Sequence, residues 1–185
     1  MKHLTVKEKE IEVFDKMKTT FHYKSAIAAP KMQKIVLNVG TGTAMKKDKN
    51  KNEAIALRLA KITGQKPVTR GAKQSVASFK TRQGDPIGVI VTLRGKRMYA
   101  FLEKLINVAL PRTKDFRGIS LSSVDNIGNL TIGIKEHTIF PETADEDIRD
   151  VFGLSITLVS TAKNKKEGIT FFGLLGIPFK KEEKK

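Results

Sequence analysis

The chain of 185 residues contains no cysteine and no tryptophan. Without cysteine it can hold no disulfide scaffold, no Cys-ligated zinc, no iron–sulfur cluster and no thiol nucleophile. Long apolar runs are also missing. The longest, residues 169–179, is broken by Gly and Pro and falls well short of the ~20 residues a membrane-spanning helix needs. The first residues, MKHLTVKEKEIEVF, alternate charge with hydrophobe and lack the sustained apolar stretch of a signal peptide. Acidic residues are scarce: 19 Asp and Glu stand against 35 Lys and Arg, a formal charge of +16. Such a surplus repels itself unless a polyanion screens it, and nucleic acid is the expected polyanion for a chain of this size. A cytoplasmic location, no membrane partner and no small-molecule substrate are the matching expectations.

What is present is regular. Thr5 and Glu8 form a capping box ahead of Ile11, Phe14, Met17 and Phe21 at helical spacing, which predicts a first helix with those residues inward. Residues 34–39 read as a strand with Ile35, Leu37 and Val39 on one face. A lysine-rich turn over 46–51 leads to a second helix through Ile55, Leu59 and Ile62, ending at Gly64. Residues 67–79 and 86–94 read as two strands joined by a basic loop, with Ile87, Val89, Val91 and Leu93 inward. Met98, Phe101, Leu102, Leu105, Ile106 and Ala109 define a third helix that Pro111 stops. Two strands follow, through Leu130, Ile132, Ile134 and through Leu154, Ile156, Leu158, with an acidic turn at 145–150 between them and a closing helix over 165–175. Strands that alternate have one buried and one open face. The expected fold is therefore α+β: a ferredoxin-like, RRM-like antiparallel sheet with helices on one face, plus an N-terminal helix and long basic loops. One RNA-binding domain over 1–179 and a lysine-rich disordered tail over 180–185 are expected.

The period-two pattern also selects candidate binding residues. If the apolar positions face inward, Asn38, Thr92 and Arg94 face outward, and an amide, a hydroxyl and a guanidinium suit phosphate and ribose contacts. The middle of the chain is one-sidedly basic, which reads as an anion footprint. The two central strands carry no aromatic and most Phe residues sit at helical core spacing, so a folded RNA gripped by backbone and shape is expected over an unstacked sequence. The loops are expected to order only on RNA. Other chemistries lack their residues. Gly40-Thr41-Gly42 has Met45 where a dinucleotide fingerprint needs its third Gly, and no Walker-type run or nucleophile elbow occurs. His3, His22 and His137 lack ligand spacing, and His137 and Glu136, as neighbours on a strand, would point to opposite faces. No catalysis, metal or cofactor is expected.

Several blocks resemble a known family. They include 34–40 (KIVLNVG), 64–67 (GQKP), 86–88 (PIG), 91–95 (VTLRG), 110–112 (LPR) with 115–118 (DFRG), 133–136 (GIKE), 139–142 (IFPE) and 174–179 (LLGIPF). Together they resemble the universal large-subunit ribosomal protein five, the 5S rRNA binder, in its bacterial form. The resemblance implies a non-catalytic ribosomal component of the central protuberance that binds 5S rRNA and large-subunit rRNA. It maps the 5S surface to Asn38, Gln65, Lys66, Arg70, Thr92 and Arg94. The element approaching P-site tRNA corresponds to the loop with Lys73, Gln74, Ser75, Lys80 and Arg82, and an intersubunit bridge to Arg112, Lys114, Asp115, Phe116 and Arg117. Large-subunit protein eighteen and small-subunit protein thirteen are the implied protein partners. Two places depart from the family: Asn126 and Leu130 where a glycine-rich turn and Tyr are usual, and Phe152 where Arg is common. An off-ribosome RNA-binding regulator or assembly chaperone on the same fold is the alternative reading.

Overall fold

Local signals set each element. The computed structural model describes residues 4–42, 51–114, 116–143 and 151–180; the expected turns at 46–50 and 145–150, Asp115 and the tail beyond Lys180 lie outside them. The capping box forms as expected: Glu8 N–H donates to Thr5 Oγ1, and Thr5 N–H donates to the Glu8 carboxylate at 2.7 Å, opening helix α1 (Val6–Phe21). Strand β1 (Met32–Gly40) leads to α2 (Lys51–Thr63), then to the antiparallel pair β2 (Val68–Gly71) and β3 (Pro86–Leu93). Helix α3 (Gly95–Lys104) continues as a π-helical segment, Leu105–Ala109, before Pro111. Strands β4 (Leu130–Ile134) and β5 (Leu154–Ser160) and helix α4 (Lys165–Leu175) complete the chain.

The strands form one five-stranded sheet in the order β2-β3-β1-β5-β4. This is the α+β architecture expected. The fourth ferredoxin-like position, beside β1, is taken by β5, and β4 adds an outer edge strand. Packing divides the chain into two compact units, Met1–Ile35 with Arg94–Ile132 and Thr157–Lys185, and Val36–Leu93 with Gly133–Ile156.

In the first unit α1 packs against α3 and α4, around Val13, Met17, Leu102, Phe171 and Phe172. The face of α1 differs from the one its periodicity predicts. Val6, Val13 and Met17 are buried, Phe14 and Phe21 are half-buried, and Ile11 is 72% exposed. The reason is a polar contact: Glu10 points inward, accepting from Tyr99 OH at 2.9 Å and from Met32 N–H at 3.3 Å. A second phenol, Tyr23, donates to the buried Glu167 carboxylate, which also accepts from Lys163 N–H at 2.7 Å.

These two phenols give a measurable pH dependence. Burial, then the hydrogen bond to Glu10, pushes Tyr99 up to about 12, and burial with Glu167 pushes Tyr23 upward as well. The folded state thus favours the neutral phenols. Their contribution to stability is present below the ordinary phenol value of 10.0 and is lost as pH rises through the folded values. Since Tyr23 and Tyr99 are the only tyrosines, ultraviolet phenolate titration reads them alone. Phenolate should appear about two pH units later in the native protein than in denaturant. Coincident titration curves would contradict the burial argument.

The second unit holds α2 against the β2–β3 hairpin, with Leu37, Ile55, Leu59, Ile62, Val89, Val91 and Leu93 buried. Ile87, expected inward, is half-buried at the mouth of the strand. His137 lies not on a strand but at the start of a 3-10 turn, His137–Ile139. It is fully buried, its ring stacked on Phe152 at 4.1 Å and its Nδ1 accepting from Phe152 N–H at 3.3 Å. The departure at Phe152 is therefore a core residue in this chain, covering His137.

Candidate nucleic-acid interface

Alternation along β1 buries Ile35, Leu37 and Val39 and leaves Asn38 exposed. On the adjacent strand β3, Val91 and Leu93 are buried and Thr92 is half-buried on the other face. Thr41 N–H donates to Ile87 O at 2.8 Å, joining the end of β1 to the start of β3. Asn38 and Thr92 thus occupy neighbouring strands on the open face, as their periodicity predicts. Gln65, half-buried in the turn after α2, donates from Nε2 to Thr92 O at 3.1 Å and so ties that turn to β3. Lys66 beside it is exposed.

Arg70 lies on β2 opposite Gly88 of β3 and is exposed. Arg94, two residues beyond Thr92, leaves the strand as the N-cap position of α3 and is exposed without a capping hydrogen bond. The open face of β1 and β3 bears small side chains. Gly40, Gly88 and Thr92 carry little side chain, and Ser155 of β5 turns its hydroxyl to Asn38 O at 3.3 Å. Among the described residues, Lys66, Arg70, Lys73, Lys80, Arg82 and Arg94 have no acidic partner at ion-pair distance. Charges left in water at this density suit an anionic partner better than internal stability, because exposed pairs contribute little and unpaired ones only repel.

The basic loop, residues 72–85, is where expectation and structure part. Residues 67–79 are expected as one strand, but β2 ends at Gly71 and the chain continues as a hydrogen-bonded hairpin. Ala72 N–H donates to Asp85 O at 2.8 Å and Gly84 N–H returns to Ala72 O at 3.0 Å. Val76 and Thr81 exchange backbone bonds at 3.0 and 3.2 Å. Gln83 N–H donates to Ser75 Oγ at 3.0 Å, and Arg82 N–H to the Asp85 carboxylate at 2.6 Å. Lys73, Gln74, Ser75, Lys80 and Arg82 are all exposed on this frame. Phe79 is also exposed, at 68%, a loop residue that helical core spacing gave no reason to single out. The available signal was its setting in a stretch dominated by Lys, Arg, Ser and Gln.

The segment with Arg112, Lys114, Phe116 and Arg117 follows α3 in the other unit. The three cations are exposed and Phe116 is half-buried; Asp115 is outside the described residues. Its far end is pinned: Ile119 N–H donates to Pro178 O at 2.8 Å, and Lys180 N–H donates to Ile119 O at 2.9 Å. Gly118, at φ +94°, lies so close to the chain at 179–180 that a Cβ would come within 2.7 Å of Lys180 N, and only glycine fits there. The departure at Asn126 sits in a turn of the chain's own making. Asp125 Oδ1 accepts from Ile127 and Asn129 N–H at 3.1 and 2.7 Å, and Leu130 is fully buried.

No grouping of three or more metal-ligating side chains occurs among the described residues, and no helix there is long and apolar enough to cross a membrane. A polar open sheet face, a hydrogen-bonded cationic hairpin and cations without an acidic partner among the described residues define a basic α+β protein whose surface suits an anionic partner. Comparison with known proteins gives the particular family. The model for ribosomal protein L5 matches residues 25–82, and the model for the C-terminus of the same ribosomal family matches residues 86–179. The chain is 50% identical over 177 residues to large ribosomal subunit protein uL5 of Dictyoglomus thermophilum, covering 95% of this chain and 98% of that protein. It is 51% identical over 178 residues to uL5 of Oenococcus oeni, covering 95% and 98%, and 47% identical over 178 residues to uL5 of Mycoplasma capricolum, covering 96% and 98%. The chain belongs to the ribosomal protein L5 (uL5) family, and it is a ribosomal protein rather than an enzyme.

Proposed function

We propose that this large-subunit ribosomal protein binds 5S rRNA through the open sheet face and helps hold it in the central protuberance. The observation that carries the reading is the pairing of aromatic-free strand positions Asn38 and Thr92 on the open face with Lys66, Arg70 and Arg94, exposed and without an acidic partner among the described residues. The cations meet phosphates, and the amide and hydroxyl meet sugar or base edges in a shallow groove. Gln65 takes part through its side-chain carbonyl and second amide N–H, one N–H being engaged by Thr92 O. The hairpin with Lys73, Gln74, Ser75, Lys80 and Arg82 contacts P-site tRNA. The segment with Arg112, Lys114, Asp115, Phe116 and Arg117 forms the bridge to small-subunit protein thirteen. Large-subunit protein eighteen is the neighbour on 5S rRNA, and large-subunit rRNA completes the surroundings.

The test is a binding assay against 5S rRNA, tRNA and a random duplex RNA, comparing the native chain with Asn38→Ala plus Arg94→Ala. Arg94→Ala alone is expected to cost about 1 to 3 kcal/mol, since charge-assisted bonds to phosphate are lost. The double variant should lose its preference for 5S rRNA while keeping its fold. Equal affinity of the native chain for all three RNAs would defeat the 5S assignment.

A further inference from the structure

We propose that Phe79 is a base-stacking group, on which an exposed base of a folded RNA seats when the 72–85 hairpin meets it; the inference rests on the reading of that hairpin as a tRNA contact. A phenylalanine carries roughly 150 to 250 Å² of surface and is ordinarily buried. Phe101, Phe140, Phe152, Phe171 and Phe172 obey this, at 8% exposure or less, whereas Phe79 is 68% exposed. Its position is fixed by backbone. It closes the 3-10 turn Ala77–Phe79, and Lys80, in the left-handed region at φ 49°, donates its N–H back to Ala77 O at 3.0 Å. With the backbone held this way, only the two side-chain torsions of the ring remain to be ordered on binding.

The charge around the ring selects the partner. Lys73, Lys80 and Arg82 share the hairpin, while its one carboxylate, Asp85, is engaged by Arg82 N–H. Beside the ring is a cleft of about 730 Å³ walled by Ala72, Val76, Thr81 and Ile87. An apolar ring among cations suits a base with its attached phosphates, the pairing by which proteins hold nucleotides without reading their sequence. A protein partner would have to bring both an apolar tip and a surplus of acid to the same few residues.

The test uses ribosomes carrying the variant chain, with deacylated tRNA in the P site and its dissociation rate as the readout. Phe79→Ala and Phe79→Leu should each speed release roughly ten-fold, and Phe79→Trp should restore the native rate. Lys80→Ala with Arg82→Ala should speed release in a way that added salt masks. Native behaviour of both Phe79→Ala and Phe79→Leu beside fast release from the cation variant would overturn the stacking role and leave the tRNA contact standing. Native behaviour of Phe79→Leu alone would replace stacking by simple apolar contact and also overturn it. If every variant releases at the native rate, the tRNA reading itself falls and the inference with it.

Discussion

Raising monovalent salt from about 50 to about 200 mM is expected to weaken binding to 5S rRNA by roughly 10² to 10³-fold, a log–log slope near −4. That slope corresponds to about five phosphates neutralised, each releasing condensed counterions. Unpaired Lys66, Arg70 and Arg94 beside the sheet face supply most of those charges, and a net +16 spread over the chain supplies the long-range attraction. The single variants separate the two kinds of contact. Arg94→Ala should lower the slope by about one, because one phosphate partner is gone. Asn38→Ala should lower affinity with the slope unchanged, because an amide displaces no counterion. A flat salt response in the native chain would remove electrostatic docking as the mechanism.

Phe172→Ala is expected to cost about 3 to 5 kcal/mol of folding stability, from lost transfer energy and the cavity left behind. The ring on α4 has no exposed surface and is tilted 54° against Phe171 at 5.4 Å. For a chain of this length that is a fall in melting temperature of about 6 to 20 °C, out of a total stability of about 5 to 15 kcal/mol. Phe79→Ala should change stability by less than about 0.5 kcal/mol, since most of that ring is already in water. Denaturant titration of the two variants checks both statements. A Phe172→Ala loss below about 1 kcal/mol would mean that α4 is not packed as described.

Much of this molecule is legible in the order of its residues. The capping box at Thr5 and Glu8, the alternation at Ile35, Leu37 and Val39, the helical stripe at Ile55, Leu59 and Ile62 and the closing helix at 165–175 all appear where their patterns put them. Asn38 and Thr92 reach the open face for the same reason. These signals are local, each depending on residues one to four apart in sequence. The inward stripe of α1 was not legible. Ile11 and Phe14 compete with Val13 and Met17 for the role, and Glu10 wins an inward place because Tyr99, 89 residues away, holds its carboxylate. Nor did composition reveal that residues 72–85 form a hydrogen-bonded hairpin, since backbone hydrogen bonds leave no trace in side-chain polarity.

The amino-acid sequence by itself determined most of the elements, the outward face of β1 and β3, the absence of thiol chemistry and a charge balance that suits an anionic partner. Hydrophobic period, caps and net charge are local or summed properties of the chain, and along β1, β3 and α2 no distant contact competes with them. Tertiary structure alone decided that β5 lies beside β1, that His137 and Phe152 become a buried stack, and that Phe79 stands in water on a cationic hairpin. Each of those outcomes depends on which distant residues meet, and pairing across tens of residues is set by packing the whole core at once.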